Sequence, residues 1–392
     1  MKPRVLCLCA ALILVFGTLF TLAAAKAAPE PAYGEQAAFS GQWAGFSAPE
    51  AASAVLMEGV TGSFLFEKDA DRPLPMASTT KIMTALVVLE CLPLDETVTV
   101  PDEAVGVEGS SVNLKYGEEL TVRDLLYGLM LASGNDAAVA LAVHAGGSAE
   151  AFAGMMNSRA ARMGLQNTRF VTPNGLHDPD HYTTARDLCI ITREAMKNPW
   201  FRRIVSTEYY TALSGSTPRT FKNKNSLLSS FPGAVGVKTG YTSDAGRCLV
   251  FAAERDGMQL IGCVLNCRPM FETASQLMEA AFDRYAVLPV VQKNAAVKKV
   301  YVENGAQTVL ELVAESSIMA LTEKGQARFF RTEICAPDTV RAPVAAGQRL
   351  GLLRVCCGDE LYACCPLAAA RGADERSFSY WLSRAALLFV RQ

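Results

Sequence analysis

Surplus positive charge is missing from this sequence: 37 Lys and Arg stand against 39 Asp and Glu, a formal charge of −2. That removes the basic footprint on which nucleic-acid binding depends, so nucleic acid is not expected as a partner. Histidine is scarce, with three in 392 residues. His177 and His181 stand four apart, but Pro179 between them keeps the pair off a shared helical face and excludes a helix-borne zinc motif. They and His144 are expected as loop or helix-surface residues, and no metal or other cofactor is expected. A Ser-His-Asp triad stays open, because triads are defined by geometry and not by chain order. After Leu22 no second segment approaches the roughly 20 apolar residues of a spanning helix, and the small residues that follow Leu22 disfavour a retained N-terminal anchor.

The apolar run that is present, Val5 to Leu22, follows Lys2 and Arg4 and precedes Ala23-Ala24-Ala25-Lys26-Ala27. This reads as an export signal over residues 1–27, cut after Ala25 or Ala27, with 28–45 a flexible leader. Twelve cysteines sit awkwardly with export. Disulfide frameworks belong to small domains that lack a core, and this chain is long enough to bury one. Cys91, Cys189, Cys248 and Cys263 lie in apolar runs, where a thiol acts as a small hydrophobe. Cys356-Cys357 and Cys364-Cys365 lack the gaps of zinc ligands, so plain thiols are expected.

Chemistry concentrates in three short stretches. Ser78-Thr79-Thr80-Lys81 opens the apolar segment Ile82 to Leu89, which reads as a buried helix. Ser78 and Lys81 are neighbours on one face of it, and a desolvated lysine can lose its proton and serve as base to a serine hydroxyl. Usage alone gives about one or two Ser-x-x-Lys matches in this length, so the motif is weak by itself. Downstream, Thr121 and Asp124 have capping-box spacing and open a helix, which Gly134 is expected to break within Ser133-Gly134-Asn135; the next helix is expected from Ala137 to Ala145. On that turn Ser133 can shuttle a proton and the Asn135 amide can orient a carbonyl, unless both merely cap the next helix. The third stretch, Gly236 to Thr242, reads as a strand in a hairpin with Cys248 to Ala253. Lys238 and Thr239 offer a cation and a hydroxyl to an anion; a lysine guarding a sheet edge is the plainer alternative.

Ser-x-x-Lys, Ser-Gly-Asn and Lys-Thr-Gly in this order, 55 and 105 residues apart, form the signature of penicillin-binding proteins and serine β-lactamases. Pro75 to Thr84, Ser133 to Ala137, Asn174-Gly175-Leu176, His181 to Leu188 and Gly236 to Thr242 resemble more closely the low-molecular-mass D-alanyl-D-alanine carboxypeptidases, over most of residues 50–285. The resemblance implies an α/β sandwich, with a mostly antiparallel five-stranded sheet, covering helices and a helical lobe, over residues 46–287. It implies Ser78 as nucleophile, Lys81 as base and Ser133 as proton donor to the leaving D-alanine. Asn135, Lys238, Thr239, Gly240 and Tyr241 would bind substrate, with the amides of Ser78 and Tyr241 as oxyanion hole. The implied partners are a peptidoglycan stem peptide ending in D-Ala-D-Ala and β-lactams as inhibitors. Lys224 stands where some members carry an arginine, which leaves the second carboxylate-gripping group open.

The stretch Thr172 to Asp187 contains no glutamate, unlike the deacylating region of class A β-lactamases. That favours a carboxypeptidase over a β-lactamase; a catalytically silent peptidoglycan-binding protein is the other competing class. Residues 288–372 read as a small all-β domain with strands Val297 to Val302, Thr308 to Val313, Ile318 to Thr322, Phe329 to Cys335, Leu350 to Val355 and Leu361 to Cys365, and Asn304-Gly305 as a hairpin turn. Residues 373–392 place Phe378, Trp381, Leu382, Ala385, Leu388 and Phe389 at helical spacing among arginines. This suits an in-plane helix on the outer face of the cytoplasmic membrane, or docking onto the chain's own β domain.

Overall fold

The structure is a computed structural model that describes residues 48, 50–326, 329–377 and 380–381. The expected export signal and leader lie outside the described residues, as does the expected C-terminal helix 373–392 apart from residues 373–377, 380 and 381; of these, Ala373 and Glu375 are not helical but form antiparallel bridges to Val344 and Gly305, where backbone pairing continues the β-rich region.

Antiparallel strands β1 (Ala51–Glu58) and β2 (Phe64–Lys68) lead through a 3-10 turn, Ala77–Thr80, into helix α1 (Lys81–Cys91). Strands β3 (Thr97–Thr99) and β4 (Glu119–Thr121) pair, and a run of helices follows: α2 (Val122–Tyr127), α3 (Asn135–Gly146), α4 (Ala149–Arg162), α5 (Ala185–Ala195) and α6 (Pro199–Val205). Thr121 caps α2 by accepting from the Asp124 amide, as the spacing predicts. A small hairpin, β5 (Tyr209–Ala212) and β6 (Arg219–Lys222), and the short α7 (Leu227–Ser230) lead to the long antiparallel strands β7 (Ala234–Thr242), β8 (Gly246–Arg255) and β9 (Met258–Cys267), then α8 (Met270–Arg284).

The central sheet runs β2-β1-β9-β8-β7, five strands and all antiparallel. Both of its faces are covered, so its strands read as continuous apolar runs and the two-residue period appears only in which side chain joins which core. Val55, Met57, Cys248, Val250, Ala252, Ile261, Cys263 and Leu265 pack into the core of the helical lobe around α1, α3 and α5. Their neighbours Ala54, Leu56, Leu249, Phe251, Ala253, Leu260 and Val264 face α8. The fold is thus the α/β sandwich that the sequence implies. All ten cysteines from Cys91 onward are unpaired. Cys189, Cys248 and Cys263 are buried, but Cys91, expected as a small hydrophobe, is exposed at the end of α1.

Strand β10 (Tyr285–Val291) follows α8 directly. It pairs with β13 (Ile318–Glu323) and places Tyr285 and Val287 in the core beneath α8. Strands β11 (Ala296–Glu303), β12 (Val309–Ala314), β14 (Phe330–Cys335), β15 (Thr339–Arg341), β16 (Arg349–Cys357) and β17 (Glu360–Ala369) form a second sheet, in the order β14-β16-β17-β12-β11-β15. A distinct β-rich region therefore follows the sandwich. Asn304-Gly305 falls, as expected, between two antiparallel strands, β11 and β12, in a connection running to Thr308 that is longer than a two-residue turn. Among the described residues no helix is long and apolar enough to cross a membrane.

Candidate active site

Ser78 does not lie on the long helix itself but in the 3-10 turn before it, with Lys81 as the first residue of α1. The turn is pinned by its own hydroxyls: Thr79 Oγ1 donates to the Met76 carbonyl at 2.6 Å and Thr80 Oγ1 to that of Ala77 at 2.8 Å. Ala77 enters it at φ 48°, a left-handed conformation that a non-glycine residue adopts at a cost of about 1–3 kcal/mol. Lys81 is fully buried. Its Nζ lies 3.0 Å from Ser78 Oγ and donates to Asn135 Oδ1 and to the Asn174 carbonyl, both at 2.6 Å. Burial above all, reinforced by the Lys238 and Lys224 cations and opposed by Asp136, holds its pKa well below the usual lysine range. Two of the amine's hydrogens therefore have fixed acceptors, and its third direction faces the serine.

The second wall comes from the end of α2. Gly128–Ala132 winds as a π-helical turn, and the chain reverses at Ser133, which takes φ 64°. The break expected at Gly134 thus falls one residue earlier; Gly134 has φ −58° and α3 begins at Asn135. Two bonds hold the strained serine, from the Gly134 amide to the Gly128 carbonyl at 3.1 Å and from the Asn135 amide to the Ser110 carbonyl at 2.7 Å. Neither side chain caps α3. The Asn135 amide is committed at both ends, since Nδ2 donates to the Glu108 carbonyl at 2.5 Å while Oδ1 receives Lys81. Asp136, buried beside it, accepts from the amides of Val112, Leu114 and Ala137 and from the Ser111 hydroxyl, which fastens the preceding loop to α3.

The third wall is β7, an edge strand of the central sheet. Gly240 lies against the Ser78 turn so closely that a Cβ there would come within 3.1 Å of both the Met76 carbonyl oxygen and the Ser78 amide nitrogen. Small size at this position is what lets strand and nucleophile meet. Lys238 is buried, and burial together with the Lys224 cation lowers its pKa to about 7. Thr239 is half-buried and Tyr241 exposed, with the Arg247 guanidinium 5.8 Å over its ring. Lys224, on the loop after β6, donates to Ser110 Oγ at 2.8 Å, and burial lowers its pKa too. Three lysines thus act on one another electrostatically across one cleft. Among the described residues no group of three metal-ligating side chains occurs.

Two features of the site escaped the sequence. The Asn174 carbonyl, which receives Lys81, is a backbone acceptor with no residue signature. Next to it Gly175, at φ +85°, rests on the nucleophile turn, where a Cβ would come 2.0 Å from the Ala77 carbonyl oxygen. His181, expected as a loop or helix-surface residue, does lie in a loop but is buried there at 3% exposure, 2.8 Å from Thr80 Oγ1 through Nε2. His177 and His144 are on the outside, near Asp244 and Glu96 respectively.

Residues 42–268 match the D-alanyl-D-alanine carboxypeptidase family, and residues 285–375 match the C-terminal domain of penicillin-binding protein 5. The chain is 37% identical over 348 residues to the D-alanyl-D-alanine carboxypeptidase DacF of Bacillus subtilis, covering 86% of this chain and 89% of that one. It is 47% identical over 227 residues to a D-alanyl-D-alanine carboxypeptidase of Streptomyces sp. strain K15, covering 53% and 78%. The solved structure of penicillin-binding protein 5 from Haemophilus influenzae superposes with a TM-score of 0.69 at 28% identity, over 84% of this chain and all of that one.

Proposed function

The chain belongs to the D-alanyl-D-alanine carboxypeptidase family and is a penicillin-binding serine-type carboxypeptidase of peptidoglycan stem peptides; we propose that its chemistry runs through an acyl-enzyme on Ser78. The observation that carries the assignment is the buried Lys81 amine, with two hydrogens donated to Asn135 and Asn174 and its remaining direction 3.0 Å from Ser78 Oγ. A neutral Lys81 takes the hydroxyl proton as Ser78 Oγ bonds to the carbonyl carbon of the penultimate D-alanine. The amides of Ser78 and Tyr241 receive the oxyanion. Ser133 gives its proton to the departing amine and is reprotonated by the Lys81 ammonium, the C–N bond breaks, D-alanine leaves and Lys81 is neutral again. Water then attacks the ester as Lys81 takes its proton, and Lys81 returns that proton to Ser78 Oγ as the acyl group departs. Lys238 and Thr239 hold the substrate carboxylate, Gly240 admits the peptide, and Asn135 acts chiefly by holding Lys81.

Deacylation separates this reading from a β-lactamase. The acids of the Thr172 to Asp187 stretch are engaged elsewhere: Asp178 accepts from the Asp180 amide, Asp180 lies 3.9 Å from Arg169, and Asp187 accepts from Thr168 Oγ1 while its amide donates to Thr184 Oγ1 at the start of α5. Penicillin is therefore expected to act as a slow-turnover inhibitor while a peptide ending in D-Ala-D-Ala is turned over. Both are measured on purified protein, and penicillin hydrolysis faster than D-alanine release reverses the assignment.

The same electrostatics set a pH dependence. Lys238 must be cationic to hold a carboxylate, and its pKa of about 7 means that this charge is present below pH 7 and lost above it. KM for the peptide is expected to rise as pH passes through about 7, with kcat changing less. Lys238→Arg keeps its charge at every working pH and should remove that rise in KM. A pH-independent KM in the parent protein would reject this role for Lys238.

Around residues 46–287 as catalytic domain, the β-rich region that follows serves as a spacer, and residues from Ser377 to Gln392 as the amphipathic helix that holds the exported protein on the outer face of the cytoplasmic membrane. A chain ending at Arg376 is expected to remain active and leave the membrane fraction; a truncated form that still pellets with membranes counts against the anchor.

A further inference from the structure

His181 is buried among the parts of the site without touching a reacting atom. Its Nδ1 accepts from the Val171 amide at 2.9 Å and the Thr172 amide at 3.3 Å, so that nitrogen carries no proton. The proton is therefore on Nε2, which donates to Thr80 Oγ1 at 2.8 Å, and Thr80 Oγ1 in turn donates its single hydrogen to the Ala77 carbonyl at 2.8 Å. The chain of bonds is directional and leaves no polar atom of the ring over. It runs from the loop that supplies the Asn174 carbonyl to Lys81, through the imidazole, into the turn that carries Ser78. Gly175 presses on the same Ala77 carbonyl from that loop, and the Phe170 ring meets the imidazole edge-on at 5.9 Å.

We propose that His181 is a positioning residue for acylation, a neutral strut that clamps the Ser78 turn to the Val171 to Leu176 loop and so fixes nucleophile and base relative to each other. Burial, despite the opposing Asp178 charge, lowers its pKa to about 4, so the imidazole is neutral wherever Lys81 can act. Protonation of Nδ1 would turn the acceptor of the Val171 amide into a second donor and break the strut from inside. The strained left-handed Ala77 gives the clamp something to hold, since the turn it closes is not the conformation a free alanine prefers.

The inference rests on Ser78 as nucleophile, which a Ser78→Ala control tests by itself through loss of covalent labelling with fluorescent penicillin. The clamp is tested on the full chain by measuring acylation rate at saturating and limiting penicillin for His181→Ala, Thr80→Val, the double variant and Thr80→Ser. Misplacement of a reacting group by about 1 Å costs on the order of 10²-fold. Each disruptive single variant is expected to lose about that in the limiting rate constant, with penicillin binding before acylation changed less than about threefold. The double variant is expected to be no slower than the slower single, because both cut one chain, and Thr80→Ser, which keeps the hydroxyl, to recover most of the rate. Wild-type acylation in folded His181→Ala or Thr80→Val overturns the proposal, as does a multiplicative loss in the double variant. Should His181→Ala fail to fold, the near-isosteric Thr80→Val against Thr80→Ser decides it alone.

Discussion

Lys81→Arg is expected to lower D-alanine release by about 10³-fold or more while leaving the fold intact. The substitution keeps a cation in place and removes the ability to become neutral, since a guanidinium holds its proton at any working pH. General-base assistance in acyl transfer is worth about 10²–10⁴-fold, and here the base is the group aimed at the nucleophile. The larger head must also be accommodated at a fully buried position where Nζ already donates to Asn135 and Asn174. Steady-state release of D-alanine from a D-Ala-D-Ala peptide measures it, with circular dichroism as the check on folding. Turnover within tenfold of the parent takes the base role away from Lys81.

Gly175→Ala is the second large effect. Glycine here avoids two separate costs. At φ +85° a Cβ adds strain of about 1–2 kcal/mol, and the same Cβ would overlap the Ala77 carbonyl carbon at 2.5 Å and Thr80 Oγ1 at 2.7 Å. These are parts of the nucleophile turn, with no flexible side-chain end to give way. The turn must move, and acylation is expected to fall by about 10²-fold or more. Gly257→Ala is the matched control: it is also left-handed, at φ +78°, but nothing lies within 4 Å of the added methyl. Penicillin labelling rates and thermal unfolding of the two variants side by side separate the contributions. Equal, small losses of acylation in both would show that contact with the turn carries nothing.

The legible part of this molecule is the part encoded in contiguous residues. Ser78 with Lys81, Ser133 with Asn135, and Lys238 to Tyr241 each occupy one turn or one strand, so spacing alone puts the members together. Strands β7 and β8 were legible for the same reason. His181 was not, because its partner Thr80 is 101 residues away and an isolated histidine in a Pro- and Asp-rich loop usually faces water. Nor was the reversal at Ser133: glycine is the default left-handed residue, and only the bonds to Gly128 and Ser110 explain why the serine takes that conformation instead. Strand β10 was missed because Pro289 lies inside it, and proline normally counts against a strand. Strand β15 is three residues long and pairs in parallel with β11, a register that local pattern does not reveal.

The unpaired thiols in the central sheet give the molecule an internal clock. Burial raises the pKa of Cys248 to about 11 and pushes Cys189 and Cys263 up as well, so almost none of the reactive thiolate exists while the sheet is closed. Cys248 and Cys263 are on the two longest strands of the sheet, and Cys189, on the helix packed over it, reaches the Ile261 carbonyl at 4.0 Å. An alkylating reagent must therefore wait for strands and helix to part. Its rate at these positions reads how often the sandwich opens rather than how nucleophilic a sulfur is, whereas exposed Cys91 reacts on its own terms.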